Sequence, residues 1–252
     1  MGLPGVDKRL LANRDNWLCV KEDRHTRVYH ASRAEATSVL IKEYSINGFI
    51  DQLSLSRKIQ RLEKFYRAIN DKIPTAKLLM AEIGAKHLEG FCVYEMLPGR
   101  DFRKVDWSQV ETVEAANIGT EVGQLLKNLH TEGWVHGDFK FGNLLYNTST
   151  IFSSTPKVYL IDLEGITRPL LQRSRKQARD IARFVLNGLE LQAPAALLMS
   201  FWQSYIQSFD DHSIEVLEIN TLNWLKKLAA RHANQYGRQV DLSSLPFAQP
   251  SR

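Results

Sequence analysis

The sequence has few cysteines and no long apolar run. Only Cys19 and Cys92 occur among 252 residues, too few for a disulfide framework or a four-ligand zinc site. A reducing, cytosolic compartment is therefore the expectation. No apolar run approaches the roughly 20 residues that span a bilayer. The first residues also lack the basic and then apolar pattern of a signal peptide.

Glycine (14) and proline (8) are modest, while hydrophobic residues make up 44% and charged residues 24%, as in ordinary soluble globular proteins. The formal net charge is +5. This sign favours anionic partners such as phosphates, anionic substrates or an acidic membrane face. The sequence has no zinc-finger spacing and no RNP or helix-turn-helix signature, so a nucleic-acid partner is not expected.

Short runs of β-branched and aromatic residues predict strands in the first hundred residues. Three- and four-residue spacing of apolar side chains predicts one helix among them, from Leu53 to Ile69. The break at Leu97-Pro98-Gly99-Arg100 predicts the boundary between two lobes. The predicted strands cover residues 16–20, 27–30, 38–41, 77–83 and 90–96.

The second half is predicted to be mainly helical. Ser108 and Glu111 have the spacing of a capping box at the start of a helix that runs to about His130. A strand is expected at 158–161, followed by helices near 178–186, 193–209 and 214–232. These patterns divide the chain into residues 12–97, residues 98–240 and a disordered tail at 241–252.

One polar string predicts phosphoryl transfer: His136-Gly137-Asp138-Phe139-Lys140-Phe141-Gly142-Asn143, with Asp162 nineteen residues later, after an apolar strand. This reaction needs a carboxylate that receives the proton of the acceptor hydroxyl. It also needs an amide oxygen and a second carboxylate for Mg²⁺, and a cation for the transferred phosphoryl charge. Asp138, Asn143, Asp162 and Lys140 supply these groups in that order.

This pattern resembles the catalytic and metal-binding segments of the protein-kinase-like superfamily. The resemblance implies a bilobal α+β fold, with a five-stranded antiparallel sheet and one helix in the small lobe and a mostly helical large lobe. It also implies that ATP and Mg²⁺ bind in the cleft between the lobes. Asp138 and Lys140 would be catalytic, Asn143 and Asp162 would bind the metal, and His136 would support the loop.

Upstream segments extend the resemblance. Val39-Leu40-Ile41-Lys42 resembles the strand whose lysine pairs with the nucleotide phosphates. Glu63, 21 residues later, lies on the predicted helix and would be the partner of this lysine. Tyr94-Glu95-Met96 resembles the hinge between lobes, where the backbone of Glu95 and Met96 would bind the adenine edge.

Two features depart from the kinase pattern. No G-x-G-x-x-G loop joins the first two strands; the turn there reads Glu22-Asp23-Arg24-His25-Thr26, so Arg24, His25, Thr26 or ordinary backbone amides would contact phosphate. The D-F-G motif is replaced by Asp162-Leu163-Glu164, with Gly165 one position late. Because Asp162 is present, the metal-binding chemistry remains possible.

Asp180 follows Asp162 by only 18 residues, in Arg179-Asp180-Ile181-Ala182-Arg183-Phe184. It resembles the buried aspartate that binds the catalytic loop in this superfamily. No A-P-E motif fits between Asp162 and Asp180, which argues against a peptide acceptor.

Together these motifs resemble the bacterial lipopolysaccharide core kinases, the heptose and Kdo kinase family with its InaA-like members, over roughly residues 15–235. The resemblance implies ATP-dependent phosphorylation of a sugar hydroxyl of the inner core, at the cytoplasmic face of the inner membrane. The acceptor would be an anionic glycolipid or oligosaccharide. The positive net charge would also favour peripheral contact with that anionic leaflet. The basic residues expected to face the acceptor are Arg168, Arg173, Arg175 and Lys176.

Three alternatives stay open at the level of sequence. A small-molecule kinase of the aminoglycoside or choline type shares H-G-D-x-x-x-x-N and a short segment after the metal ligand. An atypical protein kinase of the RIO type is also compact and lacks A-P-E. A pseudokinase that only binds nucleotide is favoured by the missing glycine loop and opposed by the intact Lys42, Asp138, Asn143 and Asp162.

Overall fold

The computed structural model describes residues 14, 17–32, 38–69, 72–83, 89–147, 158–242 and 245. These residues form two compact units. The first runs to residue 97 without 72–74, and the second comprises 72–74 together with the chain from residue 98 onward. The tail predicted at 241–252 lies mostly outside the described residues, but Leu245 within it is buried.

The first unit contains the predicted five-stranded antiparallel sheet and one helix, which confirms the fold class. The strands lie in the order β1-β2-β3-β5-β4, so β5 lies next to β3 and β4 is at the edge of the sheet. The elements are β1 (Trp17–Glu22), β2 (Thr26–Ser32), β3 (Ser38–Ser45), helix α1 (Phe49–Ile69), β4 (Leu78–Ile83) and β5 (Glu89–Glu95).

Alternation along β3 gives the sheet two different faces, since successive side chains of a strand point in opposite directions. Val39 and Ile41 pack with residues of β2 and β5 into a buried cluster on one face. Lys42 points to the other face and lies opposite Cys92. Helix α1 covers that second face, and Gly90 permits its approach, because a Cβ there would lie 2.2 Å from the Leu55 side chain.

The second unit is mainly helical, with one small antiparallel sheet in the order β6-β7-β8. Two of its helices pack closely through glycines: a Cβ on Gly119 or Gly123 would lie 2.2 or 2.4 Å from the carbonyl oxygen of Leu197 or Phe201. The elements are β6 (Arg100–Asp101), α2 (Thr112–Thr131), β7 (Leu144–Tyr146), β8 (Val158–Leu160), α3 (Arg173–Glu190), α4 (Ala195–Ile206) and α5 (Asp211–Tyr236).

The capping box predicted for α2 is wrong. Ser108 lies in a separate 3₁₀ turn, Trp107–Gln109, whose N-cap is Asp106. The Asp106 carboxylate accepts hydrogen bonds from the Ser108 N–H at 3.2 Å and from its hydroxyl at 2.7 Å. An aspartate two residues upstream of an N–H is well placed for this bond, so Ser108 is engaged before α2 begins at Thr112.

None of the helices in the described ranges is both long and apolar enough to cross a membrane.

Candidate active site

The predicted catalytic loop lies in the second unit and alternates buried and accessible side chains. Phe139 and Phe141 are completely buried, and both pack against Phe184 of α3, with ring centroids 5.6 and 5.0 Å away. The side chains between and before them, Lys140 and Asp138, are 40% and 34% exposed. The two phenylalanines therefore fix the backbone while the two charged groups remain accessible.

The structure brings Asp138 and Lys140 together and adds a third charged group. Oδ2 of Asp138 lies 2.8 Å from Nζ of Lys140, and Oδ1 contacts Nη2 of Arg183. Each carboxylate oxygen thus faces a different cation. Sequence reasoning did not identify Arg183. The sequence does contain a signal for it: polar residues at 180, 183 and 187 recur at helical spacing on a side of α3 that is otherwise apolar.

Asp180 lies beneath the catalytic loop, fully buried. Its carboxylate accepts hydrogen bonds from the backbone N–H of His136 at 2.7 Å and of Gly137 at 2.8 Å. The burial and the two hydrogen bonds are those expected from the sequence, and the carboxylate satisfies two buried amides that would otherwise have no partner. One and two turns further along α3, Arg183 contacts Asp138 and Asn187 accepts a bond from the Phe141 N–H at 3.0 Å.

His130, at the end of α2, completes this buried polar network. Its Nε2 lies 3.4 Å from Asp180 and its Nδ1 lies 2.7 Å from the Tyr205 hydroxyl. We assign the proton to Nε2, so that the imidazole donates to Asp180 and accepts from Tyr205. Burial lowers the pKa of His130 below its ordinary value of 6.5, outweighing the attraction of the Asp180 charge. The imidazole is therefore neutral in the folded protein at neutral pH.

This lowered pKa predicts a pH-dependent stability. The unfolded chain takes up a proton at His130 near pH 6.5 while the folded chain does not. The contribution of His130 to the free energy of unfolding is therefore fully present above pH 6.5 and is lost as the pH falls below it. The slope from one such group is at most about 1.4 kcal/mol per pH unit. Urea denaturation of wild type and His130→Gln at several values between pH 7.5 and 5.5 measures it. We expect a smaller slope for the variant; equal slopes would contradict this assignment.

His136 links the catalytic loop to the end of β8. It is fully buried, and its Nε2 donates to the carbonyl oxygen of Ile161 at 3.1 Å. Its Nδ1 accepts the backbone N–H of Asp138 at 3.3 Å. One neutral tautomer satisfies both bonds, so the ring fixes the position of Asp138 relative to the residue just before Asp162.

Two glycines allow the loop and the segment after Asp162 to pack closely. Gly137 has φ of +82°, and a Cβ there would lie 3.1 Å from the carbonyl oxygen of Gly165; a Cβ on Gly165 would lie 3.0 Å from that of His136. Val135 and Thr167 pair through two backbone hydrogen bonds, at 2.9 and 3.0 Å. The glycine that comes one position late in the sequence thus has a packing role against the catalytic loop.

The two predicted metal ligands are positioned by the backbone. The N–H of Ile161 donates to the carbonyl oxygen of Asn143 at 2.9 Å. Asn143 is 5% exposed, and its amide nitrogen donates to the Asp138 carbonyl at 2.8 Å, which leaves the amide oxygen as its ligand atom. Asp162 adopts the left-handed conformation, with φ of 61°, which is rare for a residue with a side chain and often marks a functional site.

These donors fit Mg²⁺, which favours oxygen ligands and is commonly bound by one or two protein side chains plus substrate phosphates. No group of three or more His, Cys, Asp or Glu side chains in the described ranges could hold a metal ion by itself. A site completed by nucleotide phosphates does not need such a group.

In the first unit, Lys42 lies on the face of the sheet that α1 covers, with Nζ 6.0 Å from the centre of the Tyr94 ring. Its neighbour Glu43 points to the opposite face and is buried there. Glu43 accepts hydrogen bonds from Arg14 and from the Tyr29 hydroxyl, both at 3.0 Å. The two adjacent charges therefore serve different faces, as the strand alternation predicts.

The pairing predicted between Glu63 and Lys42 is not formed. Glu63 is 46% exposed and pairs with Arg67, one turn along α1, at 3.7 Å. The buried positions of α1 are Leu55, Leu62, Phe65 and Ile69. Glu63 lies just outside this stripe, and water at the helix surface solvates its charge better than the face of the sheet would.

The backbone donors of Glu95 and Met96 are both engaged within the first unit. The N–H of Glu95 donates to Lys77 at 2.9 Å, and that of Met96 donates to Ser38 at 3.3 Å. Contact with an adenine edge at these two residues is therefore limited to their carbonyl oxygens. The Met96 side chain is 46% exposed, so it is not a core residue.

Part of the predicted basic surface has a structural use. The Arg173 guanidinium donates to the carbonyl oxygens of His130 and Thr131, at the end of α2, where a cation satisfies the last carbonyls of a helix. Arg168 lies over the Trp134 ring, 6.0 Å from its centre. All four basic residues are exposed, and Arg173 and Arg168 also have contacts within the unit.

The sequence and the fold are similar to those of known proteins. The lipopolysaccharide kinase (Kdo/WaaP) family matches residues 10–205 of the chain. The structure of WaaP in complex with acyl carrier protein has a TM-score of 0.62 at 18% identity, over 89% of this chain and 91% of that chain. The bifunctional kinase–methyltransferase WbdD has a TM-score of 0.50 at 16% identity, over 79% of this chain and 48% of that chain. No curated protein matches the sequence.

Proposed function

Since the chain belongs to the lipopolysaccharide kinase (Kdo/WaaP) family and is a kinase, we propose that it transfers the γ-phosphate of ATP to a sugar hydroxyl of the lipopolysaccharide inner core. The observation that carries this proposal is the position of Asp138. Its carboxylate is accessible and lies beside Lys140 and Arg183, on a loop whose backbone is bonded to the buried Asp180.

Asp138 has the role of the base in this proposal. It accepts a hydrogen bond from the acceptor hydroxyl and takes that proton as the phosphoryl group is transferred. Lys140, 2.8 Å from Asp138, supplies positive charge close to the reacting oxygens. A fixed cation near the developing negative charge stabilises the transition state more than solvent does.

Asn143 and Asp162 would hold Mg²⁺ through their side-chain oxygens. When bound, Mg²⁺ neutralises charge on the nucleotide phosphates. The hydrogen bond from the Ile161 N–H to the Asn143 carbonyl holds the backbone next to Asp162 close to that of Asn143. Lys42 would pair with the phosphates, and the carbonyl oxygens of Glu95 and Met96 would contact the adenine edge.

The acceptor in this proposal is an anionic oligosaccharide or glycolipid rather than a peptide. Residues 163–165 form a 3₁₀ turn, Thr167 pairs with Val135, and α3 begins at Arg173. Only a few residues between Asp162 and α3 are left outside these elements. That length cannot form an extended platform for a peptide of the kind that protein kinases use.

A comparison of acceptors tests the proposal. The protein is incubated with Mg²⁺ and γ-labelled ATP, together with purified core oligosaccharide, a casein-like protein, or an aminoglycoside. We expect label in the oligosaccharide alone, and none when Mg²⁺ is removed. Label in casein alone would favour an atypical protein kinase, and label in the aminoglycoside would favour a small-molecule kinase.

We also propose that the turn before α3 contacts the inner-membrane leaflet at its cytoplasmic face. Leu170 and Leu171 are 97% and 80% exposed, and the exposed Arg175 and Lys176 follow closely. Apolar side chains beside cations suit an anionic bilayer surface. In vesicle flotation, we expect binding to vesicles with anionic lipid that Leu171→Asp reduces severalfold. Equal binding of the variant, or equal binding to neutral vesicles, would contradict this contact.

A further inference from the structure

A small pocket in the second unit lies beside Asp138 and is lined by two helices and the catalytic loop. Helix α3 contributes Arg183, Leu186 and Asn187, α5 contributes Leu228 and His232, and the loop contributes Lys140. The groups proposed for the nucleotide and the metal, Lys42, Asn143 and Asp162, are not among its lining residues. The pocket is therefore a different part of the site from the one that serves the nucleotide.

The polar groups around the pocket are mainly hydrogen-bond donors. Lys140 and Arg183 have no acceptor atoms, and a guanidinium has five N–H donors in a planar fork. Arg183 uses Nη2 on Asp138 and is 25% exposed, so the rest of its fork can reach a ligand. Asn187 spends its amide oxygen on the Phe141 N–H, which turns its NH₂ group away from that contact.

The second helix adds a histidine whose orientation is fixed. Nδ1 of His232 lies 2.6 Å from the buried carboxylate of Glu190, so Nδ1 is the donor, and Nε2, an acceptor in the neutral ring, points away from that contact. Arg238 also approaches Glu190, at 3.6 Å. The acidic groups near the pocket, Asp138 and Glu190, are thus already paired with cations. The donors that remain for a ligand are those of Lys140, Arg183 and the Asn187 NH₂ group, and together with the positive charge of the first two they complement an anion.

We propose that this pocket binds an anionic substituent of the acceptor sugar, a carboxylate or a phosphate monoester, and that Arg183 is the residue that selects it. This inference rests on the proposed function, because it places the anion next to the hydroxyl that Asp138 receives. A planar fork can contact Asp138 and an anion at the same time, as bidentate arginines do. The acceptor charge then positions its hydroxyl at the base.

The test measures binding and transfer with one probe, lipid-free core oligosaccharide, in three forms: intact, with its carboxylates methyl-esterified, and dephosphorylated. We expect Arg183→Gln to weaken calorimetric binding of the intact form about 10- to 100-fold, the range for losing one charged hydrogen bond. Acceptor KM should rise by a similar factor, and kcat should change less. Arg183→Lys keeps the charge and loses the planar fork, so its affinity and its acceptor KM should lie between those of wild type and Arg183→Gln.

Removing the bound substituent should weaken wild type as much as the substitution does, and should not weaken Arg183→Gln further, because the two changes remove the same contact. The form that shows this behaviour identifies the anion as carboxylate or phosphate. Arg231→Gln is the matched control: it removes an equal charge from an exposed position next to His232, and we expect a change within about twofold, as for a screened surface charge.

If removing either substituent lowers the affinity of wild type and of Arg183→Gln by the same factor, the proposed anion pocket is wrong. The absence of binding to all three forms would also contradict it. The transfer assay separates the two proposals. Binding with the expected Arg183 dependence but no transfer would remove the proposed function and support the pocket. Transfer that is indifferent to Arg183 would support the function and remove the pocket.

Discussion

Asp138→Asn is expected to reduce phosphoryl transfer about 10²–10⁴-fold, the usual effect of removing a general base. The amide has nearly the same shape as the carboxylate but cannot take the proton of the acceptor hydroxyl. Because Asp138 is partly exposed and its neighbours Phe139 and Phe141 are buried, we expect the fold to be retained. Nucleotide affinity should also remain, since in the proposed mechanism Asp138 would contact the acceptor rather than the phosphates.

Initial rates of transfer to core oligosaccharide, together with calorimetric titration of nucleotide, measure these two effects. Asp211→Asn is the control, because it makes the same change at an exposed position in the first turn of α5. It should transfer phosphate at the wild-type rate. If Asp138→Asn does so too, Asp138 is not the base and the mechanism fails.

Asp180→Ala is expected to lower the free energy of unfolding by about 2–6 kcal/mol, because the buried amides of His136 and Gly137 each lose their acceptor at about 1–3 kcal/mol. This is a large share of the 5–15 kcal/mol that stabilises typical proteins. Transfer should fall as well, since the backbone of the catalytic loop loses its fixed position. Urea denaturation and the transfer assay report the two losses.

Asp180→Asn is the informative companion, because it keeps one acceptor oxygen and should recover part of the stability. The pattern across sites separates support from chemistry: Asp138→Asn should lose activity alone, and Asp180→Ala should lose activity and stability together. An Asp180→Ala protein as stable as wild type would mean that these hydrogen bonds contribute little.

The sequence predicted the elements and motifs that depend on short-range order. The strands around Lys42 and the helix over 49–69 follow from local periodicity and were expected within a few residues. The burial of Asp180 and its bonds to the loop were expected from its place in a motif. Cys92 is buried, as its place in a strand with apolar neighbours on both sides would suggest.

The failures all concern partners that are far apart in sequence or compete locally. Glu63 was assigned to Lys42 from helical spacing alone, which does not show that α1 turns this position toward water. Ser108 was assigned to a capping box, but Asp106 is nearer. The cap that Arg173 forms on α2 was not foreseen, because it joins residues 43 positions apart and no local pattern reveals it.

Arg183 was missed for the same reason, although its spacing from Asp180 and Asn187 placed all three on one side of α3. A polar stripe on a helix usually faces solvent. Here it faces the catalytic loop, because Phe184 and its neighbours draw the loop onto the helix through Phe139 and Phe141.

Phosphorus NMR of a reaction between wild-type protein, Mg-ATP and core oligosaccharide tests the central claim most directly. The account predicts that the γ-phosphorus signal of ATP is replaced by a phosphate monoester on the sugar, in step with the appearance of ADP, and that Asp138→Asn produces neither within the same time. Conversion of ATP to ADP and inorganic phosphate without a sugar ester, or no consumption of ATP at all, would contradict it.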